Sequence, residues 1–178
     1  MKQVILIHGA PSKEEFYGNE GDSPSNVFWF PWLQKKMACK DLLCQALEFP
    51  KPYDPVYSDW VSVFEQVSVS NETVLVGHSY GAGFLLKYLS SHPLVIPKKV
   101  ILIAPWLDLE HELADTFFDF EIDSSLSDRF NIHIIHSTDD DETSDSVSLI
   151  KEKLPNATWH EFTDRGHFCT PEFPELLE

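Results

Sequence analysis

The chain has 178 residues, a length that a single domain with a sizeable core fills, and 43% of them are hydrophobic, which excludes a disordered or fibrous chain. Thirteen Lys and Arg against 29 Asp and Glu leave a net charge of −16 at pH 7. A surface that acidic repels phosphate backbones and anionic lipid heads, so neither nucleic acid nor membrane is an expected partner.

The predicted elements alternate along the chain. A strand is expected at Val4–Ile7, followed by the turn His8-Gly9-Ala10. A helix follows over Trp32–Met37, with Pro31 tolerated in its first turn, then a strand at Ala46–Phe49. Residues Ser58–Val67 carry Trp60, Val61, Phe64 and Val67 on one helical face, with Ser58 as the expected N-cap. A strand at Val74–Val76 leads into a helix at Tyr80–Ser91, and further strands are expected at Val100–Ala104, Ile132–His136 and Thr158–Phe162. A helix at Ser144–Leu154 separates the last two strands, and a final helix is expected to begin at Pro174. Short, near-continuous apolar runs fit strands buried on both faces, and the alternation with helices points to an α/β fold. The expected architecture is one domain over 1–178, with six parallel strands, helices on both faces and a minimal lid. The acidic, aromatic stretch 105–130 breaks the rhythm and is expected to be a short insertion or lid.

The chemistry concentrates after the third strand, where Gly77-His78-Ser79-Tyr80-Gly81 reads G-x-S-x-G. An apolar strand enters the motif and an amphipathic helix leaves it, which is the context of a nucleophile elbow. The turn is tight enough to strain the serine backbone, and the flanking glycines avoid collisions between strand and helix. Ser79 would stand at a helix N-terminus, whose free N–H groups favour a developing oxyanion. A serine needs a base, and of the histidines that follow Ser79, His167 stands on a loop directly after the last strand. His133, His136 and His160 fall in strand runs, His92 at a helix end where it would cap carbonyls, and His111 in the insertion. The acid should follow the fifth strand, where Asp139, Asp140, Asp141 and Glu142 are adjacent. Asp140 is the leading candidate and Asp139 the alternative. The backbone N–H groups of Ala10 and Tyr80 are the expected oxyanion donors. Among aromatics on the loops at the carboxyl ends of the strands, Trp29, Tyr53 and Trp106 are expected at the substrate.

Four stretches carry a resemblance: the elbow Gly77–Gly81, the strand exit Phe49-Pro50-Lys51-Pro52 with Trp60 eight residues on, the run Ser137-Thr138-Asp139-Asp140, and the last loop Phe162–Phe168. Together they resemble the compact α/β-hydrolases of the retinoblastoma-binding protein 9 type, over nearly the whole chain. The resemblance implies that Asp140 is the acid and that small esters or amides are hydrolysed through an acyl-enzyme. Asp141 stands where family members often have proline. The L-x-C-x-E motif is absent, since Leu42-Leu43-Cys44-Gln45 is followed by Ala46, so binding to the retinoblastoma protein is not expected. The alternatives are a catalytically retired binding protein on the same fold and an acyltransferase or thioesterase. No metal or organic cofactor is expected. The odd set Cys39, Cys44 and Cys169 has no C-x-x-C pair, and the first apolar run is too short for a secretory signal. A cytoplasmic location follows as an expectation.

Overall fold

Six strands join into one parallel sheet in the computed structural model, which describes residues 2–18, 22–111, 113 and 116–177. The strands are β1 (Gln3–Ile7), β2 (Leu43–Leu47), β3 (Thr73–His78), β4 (Lys99–Ile103), β5 (Asn131–Ser137) and β6 (Thr158–Phe162). Their order across the sheet is β2-β1-β3-β4-β5-β6, with every neighbouring pair parallel. β3 therefore lies at the middle of the sheet, between β1 and β4. The helices are α1 (Lys13–Gly18), α2 (Phe30–Ala38), α3 (Tyr57–Phe64), α4 (Tyr80–Ser91), α5 (Leu126–Arg129) and α6 (Ser144–Lys153).

Strand alternation divides the apolar residues between two faces. On one face Ile5, Ile7, Leu75, Val100 and Leu102 meet Trp60 and Phe64 of α3, Phe84 and Leu85 of α4, and Ile150 of α6. On the other, Val4, Leu6, Val76, Ile101 and Ile103 meet Phe30, Leu33 and Met37 of α2, with Phe168 and Phe173 of the tail. Each fully buried Leu, Ile or Phe contributes ~1.5–3 kcal/mol of transfer free energy, so both layers are needed to offset chain entropy.

Several expected bounds shift. The second strand begins earlier and ends at Leu47, because β2 is an edge strand and needs no continuous apolar run; Phe49 leaves it and buries against Trp60, ring centroids 4.3 Å apart. Helix α3 starts one residue before Ser58, on an extended Val56 with no side-chain cap, and ends at Phe64. The final segment is a single 3-10 turn at Pro174–Leu177.

The stretch 105–130, whose residues 112, 114 and 115 lie outside those described, folds its aromatics inward. Phe117 is fully buried and Phe118 nearly so, against Tyr57, Trp60, Phe84 and Tyr80. Residues 19–21 likewise lie outside the described set. Among the described residues, no helix is long and apolar enough to cross a membrane.

Candidate active site

β3 delivers Ser79 to the carboxyl edge of the sheet and α4 starts at the next residue. Ser79 has φ 55° and ψ −120°, a left-handed conformation that costs a non-glycine residue on the order of 1–3 kcal/mol. Its surroundings hold it there. The Ser79 N–H donates to the Ile103 carbonyl (2.9 Å), and the Ser79 carbonyl accepts from Ala82 N–H (3.0 Å). The glycines earn their place sterically: a Cβ on Gly81 would lie 2.4 Å from the Ile7 carbonyl oxygen, and one on Gly77 would lie 2.6 Å from the Gly81 oxygen. Gly9 completes the approach, since a Cβ there would sit 3.1 Å from the Ser79 Cβ. The His-Gly turn after β1 thus abuts the serine.

His8 anchors that turn. It is buried, its Nδ1–H donates to the Gly9 carbonyl (2.6 Å) and its Nε2 accepts from the Phe49 N–H (3.2 Å). Burial lowers its pKa below the ordinary histidine value, so it stays neutral in this structural role.

His167 stands on the loop after β6. Its Nδ1–H donates to Asp140 Oδ2 at 2.9 Å, and Thr143 Oγ1 donates to the same oxygen at 2.8 Å. Burial pushes the Asp140 carboxyl up, but the bonds from His167 and Thr143 outweigh it and hold the group below the ordinary carboxylate value. Asp139 points elsewhere. Its Oδ1 accepts from the Ser137 hydroxyl and from the Gly166 N–H (2.9 Å), while Ser137 Oγ accepts from the Arg165 N–H (3.1 Å). Asp139 therefore clamps the loop that carries His167 and Asp140 meets the imidazole. Between the two aspartates that the sequence left open, only Asp140 touches the histidine ring.

Ser79, His167, Ala10 and Tyr80 all line one cavity of about 440 Å³. Its apolar wall is made by Phe16, Val27, Phe28 and Trp106, the last stacked on Tyr80 with centroids 4.3 Å apart. Of the three aromatics expected at the substrate, Trp106 is in this wall. Trp29 is not: it is fully buried beneath the cavity against Phe30 and Phe173, and its neighbour Phe28, at φ 54°, turns outward instead. Tyr53 also stands off the cavity. Its hydroxyl meets that of Tyr17 at 2.8 Å and its ring packs on Phe16, so it braces α1 from behind. Helix α1 itself opens with a reciprocal cap, Ser12 N–H to Glu15 Oε2 (2.7 Å) and Glu15 N–H to Ser12 Oγ (3.2 Å), which sets Glu15 at the rim.

Cys169 lines the cavity too, but burial, with Glu142 and Asp140 nearby, pushes its thiol up to about 11, so it is a poor nucleophile at neutral pH. Asp140, Glu142 and His167 place one ligand atom each within 4.8 Å of one another, a spacing that a cation could use, although the Asp140–His167 bond already occupies two of the three.

Sequence reading passed over Thr143 and foresaw no contact for Ser137 or Gly9. Thr143 follows Asp140 by three residues, the spacing of a local side-chain turn, and that signal could have found it. Gly9 and Ser137 act through contacts 70 and 28 residues away, which no local pattern reports.

Residues 17–170 match the family described as serine hydrolase. The chain belongs to the serine hydrolase family. Its relatives include YdeN of Bacillus subtilis (strain 168), 28% identical over 183 aligned residues, covering 96% of this chain and 88% of YdeN. Serine hydrolase RBBP9 of Rattus norvegicus is also 28% identical, over 169 residues, covering 90% of this chain and 88% of its own. The crystal structure of the ydeN gene product superposes with a TM-score of 0.81 at 23% identity, over 99% of this chain and 95% of that one. The six-stranded sheet of this serine hydrolase family member is thus an α/β-hydrolase core.

Proposed function

We propose that the chain hydrolyses small-molecule esters or amides through Ser79, His167 and Asp140. The observation that carries this reading is the Nδ1–H bond from His167 to Asp140 on the same cavity where Ser79 stands at the start of α4. That bond fixes the imidazole tautomer with the proton on Nδ1, leaving Nε2 free to accept. His167 Nε2 then takes the Ser79 hydroxyl proton as Oγ attacks the substrate carbonyl carbon. The carbonyl oxygen becomes an oxyanion, stabilised by the Ala10 and Tyr80 N–H groups and by the N-terminal end of α4. Collapse passes the proton from His167 to the departing alcohol or amine and leaves the acyl group on Ser79. Water, deprotonated by His167, attacks the acyl-enzyme and restores the serine.

Phe16, Phe28 and Trp106 would hold an apolar acyl or alcohol group. Among the described residues, the charged ones in the lining are Glu15, Asp22 and Glu142, so anionic substrates approach against repulsion. An acetate ester should be turned over faster than a negatively charged analogue at low salt, and equal rates would refute this preference. The test of the reaction itself is labelling with a fluorophosphonate, which reports an activated serine. Wild type is expected to label, Ser79→Ala not at all and His167→Ala slowly. Unchanged ester turnover by Ser79→Ala would overturn the reading.

A further inference from the structure

His78 takes no part in the proposed reaction, yet it is 3% exposed and sits one residue before the proposed nucleophile. Its Nε2 lies 2.8 Å from the His167 carbonyl oxygen. A carbonyl only accepts, so His78 carries its proton on Nε2 and donates it. The ring is held by edge contacts with Trp29 and Phe28, at 6.0 and 6.1 Å between centroids. Burial, then repulsion from His167, push its pKa down to about 3, so the donor stays a neutral imidazole.

The loop that carries His167 leaves the edge strand β6 and turns through Gly166 at φ +48°. Ser137 and Asp139 take the Arg165 and Gly166 N–H groups, but both stand on or just after β5, two strands from Ser79. These clamps fix the loop to its own edge of the sheet. They do not set its distance from the elbow. The His78 ring does span that gap, joining the main chain of the base directly to the strand that delivers the nucleophile.

We propose that His78 is a positioning residue, whose Nε2–H bond to the His167 carbonyl keeps the base loop in register with Ser79. The proposal rests on the Ser79–His167–Asp140 reading above. Proton transfer from Oγ to the imidazole tolerates little slack, and a misplacement of ~1 Å costs ~100-fold in rate.

The test compares His78→Leu, which fills the volume without a donor, with His78→Gln, whose Nε2–H reaches a similar point. Each is measured for kcat and KM on p-nitrophenyl acetate, for the rate of fluorophosphonate labelling, and for thermal unfolding. His78→Leu should lower kcat and labelling together by ~10–100-fold with KM nearly unchanged, and His78→Gln should recover most of the loss. A folded His78→Leu with wild-type kcat overturns the proposal, as does a folded His78→Gln as slow as the leucine variant. If His78→Leu fails to fold, His78→Asn, whose amide falls short of the carbonyl, takes its place with the same outcomes. Unfolding of all three variants would make His78 a packing residue and overturn the proposal. Ser79→Ala run alongside separates the two failures: if it stays active, the triad reading falls and this one with it, whereas an inactive Ser79→Ala beside a fully active His78→Leu sinks only the role of His78.

Discussion

At the scale of single residues, the two aspartates after β5 separate by direction rather than by chemistry. Asp140 Oδ2 accepts from His167 Nδ1 and Thr143 Oγ1, while Asp139 Oδ1 accepts from Gly166 N–H and Ser137. Asp140→Asn presents the wrong tautomer to the imidazole, so kcat on a simple ester should fall by ~10³–10⁴, the scale known for triad acids. Asp139→Asn keeps an oxygen for the Gly166 N–H and loses only the charge on a weak loop clamp, so its loss should stay within ~10-fold. Equal losses in the two variants would show that both carboxylates serve the base in the same way. The sequence supplied four adjacent carboxylates and the family resemblance pointed at the second. Nothing local to residues 139–142 says which carboxylate faces His167, because that depends on where β6 returns the chain. Trp29 and Phe28 carry the same lesson: both are aromatic and adjacent, and a positive φ at Phe28 sends one outward and the other into the core.

At the scale of elements, the elbow is a junction of three pieces: the end of β3, the start of α4 and the turn after β1. Gly81 shows how tightly they meet, with a Cβ 2.4 Å from the Ile7 oxygen and 2.5 Å from the His8 oxygen, both backbone atoms of a central strand and its turn. Ile7 cannot yield without breaking the β1–β3 pairing, and His8 opens the turn that follows it. Gly81→Ala should therefore destabilise the fold by ~3 kcal/mol or more, read from chemical denaturation. Gly18→Ala is the control, since a Cβ there meets nothing within 4 Å, and it should shift stability by less than ~1 kcal/mol. A Gly81→Ala protein as stable as wild type would mean that α4 can slide away from β1. Helix α4 was legible to the residue from its apolar spacing and the glycines before it. Helix α3 was not: the apolar spacing runs on to Val67, but the helix stops at Phe64, and Val67 packs on the same core from the turn beyond it.

At the scale of the whole molecule, a net charge of −16 acts against compactness. Raising salt from 0.01 M to 1 M shortens the screening length from ~30 Å to ~3 Å, so the thermal midpoint at pH 7 should rise with salt. A flat or falling midpoint would place the stabilising electrostatics in local pairs instead. Acid acts through the histidines. His78 is pushed down to about 3 and His133 to about 4, chiefly by burial, and His8 and His136 are lowered in the same direction. An unfolded histidine titrates near ~6.5, so below that pH the unfolded chain binds more protons than the folded one. The stabilisation is complete above pH ~6.5 and is lost as pH falls toward the folded values of His133 and His78. At high salt, where general repulsion is screened, denaturant midpoints should decline from pH 7 to pH 5. A constant midpoint would mean that these rings protonate without unfolding.

Local patterning determined six strands, the alternation with helices and the strand-turn-helix context of Ser79, because burial on two faces imposes short apolar runs and a tight elbow imposes glycine. It also singled out His167, as the histidine on the loop directly after the last strand. The tertiary structure decided which of two aspartates meets that histidine, that Phe28 rather than Trp29 lines the cavity, that Tyr53 braces α1, and that His78 reaches the His167 main chain. Those outcomes depend on the direction of individual side chains where segments distant in sequence converge at one end of the sheet. Spacing along the chain fixes which face of a strand or helix a residue occupies, and it carries no information on what another strand brings to meet it.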